Sequence, residues 1–279
     1  MKNNPVELLN RQYHPSKAVR TEQDGIFNIH TFSDGTQLKV RRMFERKLFN
    51  PRWRRLKQLT RRPLWKREGV LKSVTGDVSA TVHNVGNLKI VARELPQSSS
   101  GFRDRHIQAI ISEILKRRVR IESPLFELQI PSKKQYFVGT RFVEGEEVEK
   151  AMSKSSPEQR LKLVHGMADT MARLHVNALS HGHMHGRNFI IRNGKLVLVD
   201  SKYLVEMPKV FSPEEVEAAA LRSPSLLDPN PFFVMYAAMA NIHPISFEMA
   251  IAIKDLHKNE QAEFIKRYIN SYRKLYEKK

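Results

Sequence analysis

Leu174-His175, His181-Gly182-His183-Met184-His185-Gly186-Arg187-Asn188-Phe189-Ile190-Ile191 and Leu198-Val199-Asp200 are the three pieces of sequence on which the fold of this chain turns. The first ends a helical pattern over residues 157–177, with Leu161, Val164, Ala168, Met171 and Leu174 on one face. Ser156-Pro157-Glu158-Gln159 supplies its start, a capping hydroxyl followed by Pro in the first turn. The second piece is a His-rich loop that closes on Asn188. Phe189-Ile190-Ile191 and residues 195–199 then read as two short strands joined by Asn193-Gly194. This hairpin carries the chain from Asn188 to Asp200. An amide and a carboxylate at the two ends of a hairpin can converge on one hard cation through oxygen, and such a pair holds magnesium against nucleotide phosphates rather than caging it alone.

Upstream, the texture is β-rich. Val70-Leu71-Lys72-Ser73-Val74, residues 80–85 and residues 88–95 read as three strands, with turns at Thr75-Gly76-Asp77 and Gly86-Asn87. A Ser-rich loop at 98–101 leads to a helical pattern over 105–118, where Ile107, Ile110, Ile111, Ile114 and Leu115 share a face that flanks Glu113. Residues 136–143 form a further strand, closed by Glu144-Gly145. Downstream, helices are expected over 213–222, 231–242, 245–257 and 260–276. Residues 25–32 and 37–40, joined by a turn at 33–36, read as a hairpin within an N-terminal appendage. No internal repeat is visible.

This combination resembles the protein-kinase-like superfamily, in particular its small atypical members: the RIO kinases, the minimal archaeal-type kinases and the bacterial lipopolysaccharide-core kinases. Their loop has the form H-G-D-x-x-x-x-N and is followed by a hairpin ending in Asp; here His181, Gly182, Asn188 and Asp200 match. The resemblance covers residues 69–276. It implies an α+β, bilobal fold, with a basic N-terminal extension (1–68), a β-rich N-lobe (69–150) and a reduced helical C-lobe (151–279). ATP and Mg2+ would lie between the lobes. The same resemblance implies metal binding by Asn188 and Asp200, a base position at His183, and control of the phosphates by Arg93 or Lys89 with Glu113.

The departures from the family pattern are equally specific. His183 stands where the family has its catalytic Asp; imidazole can accept a proton near neutral pH, but it does not supply the same negative field. The V-A-x-K pattern aligns Val91-Ala92-Arg93 and puts Glu94 at the anchoring Lys, so Arg93, Lys89 or Lys72 must substitute. The turn at 75–79 holds a single glycine, and Asp200 is followed by Ser201-Lys202. Each lost electrostatic or acid–base group typically costs ~10²–10⁴ in rate. The chain therefore reads as an atypical phosphotransferase or, on balance, as a pseudokinase that has kept nucleotide binding.

Other readings use the same residues. Alternating His181, His183 and His185 with Asp200 are a possible zinc set for a metallohydrolase, although Asn188 then has no role. Within the kinase reading, His181 is expected to brace backbone carbonyls, His185 to sit exposed on the loop, and Arg187 to steer a phosphate or face solvent. Glu113 is expected to pair with Arg93. Met235, Met239 and Met249 read as core filling. Ser79 and Ser201 lack the His–Asp neighbours of an acyl-transfer nucleophile.

Charge adds a separate signal. The 279 residues carry 48 Lys and Arg against 29 Asp and Glu, a formal +19, and the 41% hydrophobic content is enough for a core. Thirteen of the cations fall between Lys39 and Glu68, against only Glu45 and Glu68. Arg41, Arg42, Arg46, Lys47, Arg52, Arg54 and Arg55 are followed by Lys57, Arg61, Arg62, Lys66 and Arg67. Trp53 and Trp65, the only tryptophans, are interleaved with them. Like charges at this density repel unless a partner neutralises them, and aromatic faces offer stacking for bases. The expected partner is RNA or a ribosomal particle, alternatively an anionic membrane surface. The absence of cysteine excludes disulfide scaffolds, iron–sulfur centres and thiol nucleophiles. With no signal-like start and no apolar run of membrane-spanning length, the expected location is the cytoplasm.

Overall fold

The computed structural model describes residues 8–9, 11–49, 65–71, 80–85, 88–95, 121–122, 124–200, 204–226 and 243–279. The expected helices at 105–118 (with Glu113) and 231–242, the turns at 75–79 and 86–87, the loop at 98–101, and Lys72, Ser201 and Lys202 lie outside these residues. The chain divides into two compact units, residues 1–105 with 122–142 and residues 106–121 with 143–279.

The first unit is built on one antiparallel sheet. Its strands are β1 (Arg20–Asp24), β2 (Phe27–Thr31), β3 (Gln37–Arg41), β4 (Trp65–Leu71), β5 (Ala80–Val85), β6 (Leu88–Leu95), β7 (Pro124–Ile130) and β8 (Gln135–Arg141). They are ordered β1-β2-β3-β7-β8-β6-β5-β4. Leu38, Val40, Ile90, Phe126, Leu128 and Phe137 form the centre of a buried cluster that also takes in Leu9, Tyr13 and Phe32. The N-terminal hairpin is therefore not an appendage. Its two strands, together with β1, extend the sheet through the β3–β7 pairing, and Tyr13 donates to Asp34 Oδ2 at 3.0 Å. The boundary expected at residue 68 falls inside β4, and the boundary expected at 150 is displaced to 142. Lys39, within the basic stretch, is buried; its ammonium meets Asp24 at 2.6 Å and lies over the Phe27 ring. A short helix, α1 (Arg42–Leu48), follows β3.

In the second unit, α2 (Val148–Met152) and α3 (Pro157–His175) precede α4 (Pro213–Arg222), α5 (Pro244–Ile253) and α6 (Lys258–Tyr276). Ser156 and Gln159 cap each other reciprocally at the start of α3, as do Ser212 and Glu215 at α4, with Pro at the first helical position of both. Val164, Met167, Ala168 and Met171 of α3 pack with Phe264, Ile265 and Tyr268 of α6 and with Met249 of α5. Arg160 clasps Glu260 at 2.7 and 2.9 Å, and Arg267 clasps Asp169 at 2.7 and 2.8 Å. These contacts align α3 and α6 side by side in the same direction. Among the described residues no helix is long and apolar enough to cross a membrane.

Candidate functional site

After α3 the chain passes through Ala178, in the left-handed region, to β10 (Leu179–Ser180). The loop 181–185 and a 3-10 turn, Gly186–Asn188, lead into β11 (Phe189–Arg192) and β12 (Lys195–Leu198). Asn193 and Gly194 both have positive φ, the geometry that an Asn-Gly hairpin turn requires. Strand β9 (Glu146–Glu147) pairs with β11 on its other side. Gly145 permits this approach: its φ is +153°, and a Cβ there would lie 2.2 Å from the Ile191 carbonyl oxygen.

Glu248 of α5 fixes the loop. Its carboxylate is fully buried and accepts from the backbone N–H groups of His181 (2.9 Å) and Gly182 (3.2 Å), from the Ser180 hydroxyl, and from His175 Nε2 (2.8 Å). His175 Nδ1 in turn meets the Tyr268 hydroxyl at 2.6 Å. Burial would push the Glu248 carboxyl up, but the charge and hydrogen bond of His175, with the Ser180 hydroxyl, hold it below the usual carboxylate range. Burial pushes the Tyr268 phenol well above its ordinary value. Sequence reasoning assigned Glu248 no role. Its signal was a lone acid inside Pro244-Ile-Ser-Phe-Glu-Met-Ala-Ile-Ala-Ile, a helix apolar on all sides, where a carboxylate needs partners.

The ring of His181 is buried and its Nε2 donates to the Val199 carbonyl at 3.0 Å, so it braces the loop against the far end of the hairpin. That commitment counts against a zinc set built on His181. Among the described residues no group of three or more His, Asp and Glu side chains is arranged to hold a metal. Asn188 is buried, and its side-chain amide nitrogen donates to the His183 carbonyl at 2.8 Å. The backbone N–H of Val199 donates to the Asn188 carbonyl at 2.8 Å, which sets Asn188 and Asp200 at the same open end of the hairpin. Asp200 has φ +65°, a left-handed conformation that Asp tolerates better than most residues.

His183 and His185 meet edge to face at 4.5 Å between centroids. His185 is half-buried rather than exposed as expected, and its Nδ1 accepts from the Arg187 N–H at 3.3 Å. Burial, then the neighbouring charges of His183, Lys254 and Arg187, lower its pKa to about 3. Arg187 is exposed and held by Glu149 of α2, with Nη2 at 3.0 Å from Oε1.

In the first unit, alternation along β6 sets Lys89, Val91 and Arg93 on one face, opposite Ile90 and Ala92, which belong to the buried cluster. The Lys89 ammonium lies 4.6 Å from the Phe142 ring centroid. Arg93 faces Glu122 at 3.6 Å, and Glu122 also accepts from Thr140 Oγ1 at 3.1 Å. Glu122 was not foreseen; Glu113, the expected partner of Arg93, lies outside the described residues. Of the basic stretch, Arg41 and Arg42 are described, Arg42 donating to the Gly25 carbonyl at 3.0 Å. Arg46 and Lys47 fall on α1, and Trp65, Lys66 and Arg67 on β4. Arg52, Trp53, Arg54, Arg55, Lys57, Arg61 and Arg62 lie outside the described residues.

No family model and no curated protein matches this chain. Among solved structures it is similar to the kinase PK-1 of Cydia pomonella granulovirus, with a TM-score of 0.43 and 12% identity over 78% of this chain and 92% of that one.

Proposed function

We propose that this chain is a kinase-fold nucleotide-binding protein in which Asn188 and Asp200 hold magnesium on a nucleotide phosphate. What supports this reading is the open end of the β11–β12 hairpin, where the Val199–Asn188 backbone bond makes Asn188 and the left-handed Asp200 flank the same end of the ladder. Two hard oxygen donors suit magnesium shared with phosphate, and they are too few for an all-protein cage. Magnesium, when bound, would neutralise phosphate charge. The chain's own part is to hold Asn188 by its bond to the His183 carbonyl and to fix the loop on Glu248.

Binding, rather than rapid phosphotransfer, is the output this reading favours. His183 at the base position is able to take a proton from an acceptor hydroxyl, but it lacks the carboxylate charge that orients one. The deciding measurement is thermal stabilisation by ATP, with and without magnesium, on the wild type and on Asp200→Ala. Magnesium-dependent stabilisation that Asp200→Ala removes supports the proposal; indifference to ATP with magnesium overturns it. Phosphate release that collapses in Asp200→Ala and falls in His183→Ala would instead identify an atypical kinase.

A second reading, an RNA-binding or ribosome-binding adaptor without phosphotransfer, is favoured by the cation density between Lys39 and Glu68. It is compatible with nucleotide binding and is tested separately, by the salt dependence of RNA affinity.

A further inference from the structure

A groove of about 750 Å³ runs along α6 on the side shared with α4 and the turn after it. Its lining on α6 recurs from Lys258 to Arg273 at spacings of three and four residues, a single stripe over four turns, or ~22 Å of helix. The floor is apolar, made by Ala262, Ile265 and Ile269, and Leu221 of α4 stands in the wall with 62% of its surface exposed. Lys258 and Lys266 lie along the rim and have no carboxylate partner among the described residues. At the far end Arg273 is closed off by Glu217 at 2.8 Å.

This shape and charge select among occupants. A trough as long as four helical turns, with an apolar floor, matches an amphipathic helix laid lengthwise with anchors at i, i+3 or i+4 and i+7. Two unpaired lysines eight residues apart are separated by ~12 Å along α6, so an occupant meets both with carboxylates about two turns apart on its own helix. The chain's own residues 227–242 carry a single acid, Asp228, and so offer one carboxylate to two lysines. A second copy packed groove to groove would oppose cation to cation.

We propose that the groove between α4 and α6 is a docking site for an acidic amphipathic helix of a partner protein. The site is independent of the nucleotide reading, since none of its residues belongs to the loop or hairpin described above.

The test uses the full chain and a fluorescein-labelled, 16-residue helical peptide with Leu at i, i+3 and i+7 and Glu on the flanks seven residues apart. A counterpart peptide carries Lys in place of Glu. Fluorescence anisotropy is expected to show saturable binding of the acidic peptide alone. Lys258→Glu with Lys266→Glu should weaken it at least tenfold and create binding of the Lys peptide. Ala262→Trp, which fills the floor, should abolish both, with circular dichroism confirming that the variants stay folded. Equal binding of the two peptides would overturn the proposal, as would acidic-peptide binding that the lysine pair does not affect. Self-association lost in Ala262→Trp would assign the groove to a second copy, and displacement of the peptide by phosphatidylglycerol vesicles would assign it to a membrane; either result overturns it.

Discussion

Glu248 holds a negative charge in the interior of the second unit because four donors converge on it, two of them backbone N–H groups of the candidate loop. Removing such a carboxylate leaves His175, Ser180 and both N–H groups unsatisfied at once. Glu248→Ala should therefore cost about 3–5 kcal/mol in urea unfolding, and should also remove stabilisation by ATP with magnesium. Unchanged unfolding would mean that the loop is held elsewhere. Its lowered pKa contributes stability that is present above the ordinary value of 4.5 and lost as acid protonates the folded carboxyl. His185 acts in an adjacent window. Its pKa falls from 6.5 unfolded to about 3 folded, so between these values the unfolded chain binds more protons and stability falls with acid. Between about pH 6.5 and 4.5 this loss is separable from that of Glu248. His185→Asn keeps an acceptor for the Arg187 N–H without the titration, and unfolding free energies at pH 7 and 5 should then differ less than in the wild type. An unchanged difference would place the titration elsewhere. The role of His181 as a brace could be read from its place in the motif. Glu248 could not, because a sequence shows a buried acid but not the donors folded around it.

At the scale of elements, all four helices from α3 to α6 were legible. The two with chemical start signals were placed to their first residue, whereas α5 and α6 begin one and two residues before the expected 245 and 260. Pro157–His175 and Pro213–Arg222 begin where a Ser-Pro pair predicts, since the cap satisfies N–H groups that the helix cannot. Strand β1 gave no such signal: Arg20-Thr-Glu-Gln-Asp is polar and fully exposed, and pairs only with β2. Strand β7 was masked by its initial Pro124 and by the buried Glu127, which blur the alternation of Phe126, Leu128 and Ile130. The two arginine clasps between α3 and α6 look alike in sequence but differ in burial. Arg160 and Glu260 are both mostly shielded, whereas Arg267 is about half exposed, with 47% of its side-chain surface in solvent. Charge-assisted, two-point bonds away from water contribute more than screened ones. Arg160→Ala should cost roughly 1.5–3 kcal/mol in chemical denaturation, and Arg267→Ala no more than about 1. Equal losses would show that solvent exposure does not decide the strength of these clasps.

For the molecule as a whole, the fold constrains how its charge can be tested. Deleting residues 39–68 would cut into β3 and β4 and unravel the sheet, so lost binding would say nothing about cations. Lys39 is already committed to Asp24 and Arg42 to the Gly25 carbonyl. Arg52, Arg54, Arg55, Lys57, Arg61 and Arg62 lie between α1 and β4, and replacing these six by Gln leaves every described strand intact. If all six meet phosphates of single-stranded RNA, the slope of log affinity against log salt should become shallower by about 4, at roughly 0.7 per phosphate contact. The melting temperature should not move. An unchanged slope would make the block a solvated face. The same loss on phosphatidylglycerol vesicles, with none on RNA, would redirect the charge to a membrane, because phosphate neutralisation is common to both surfaces while base stacking on Trp53 and Trp65 is available only from RNA.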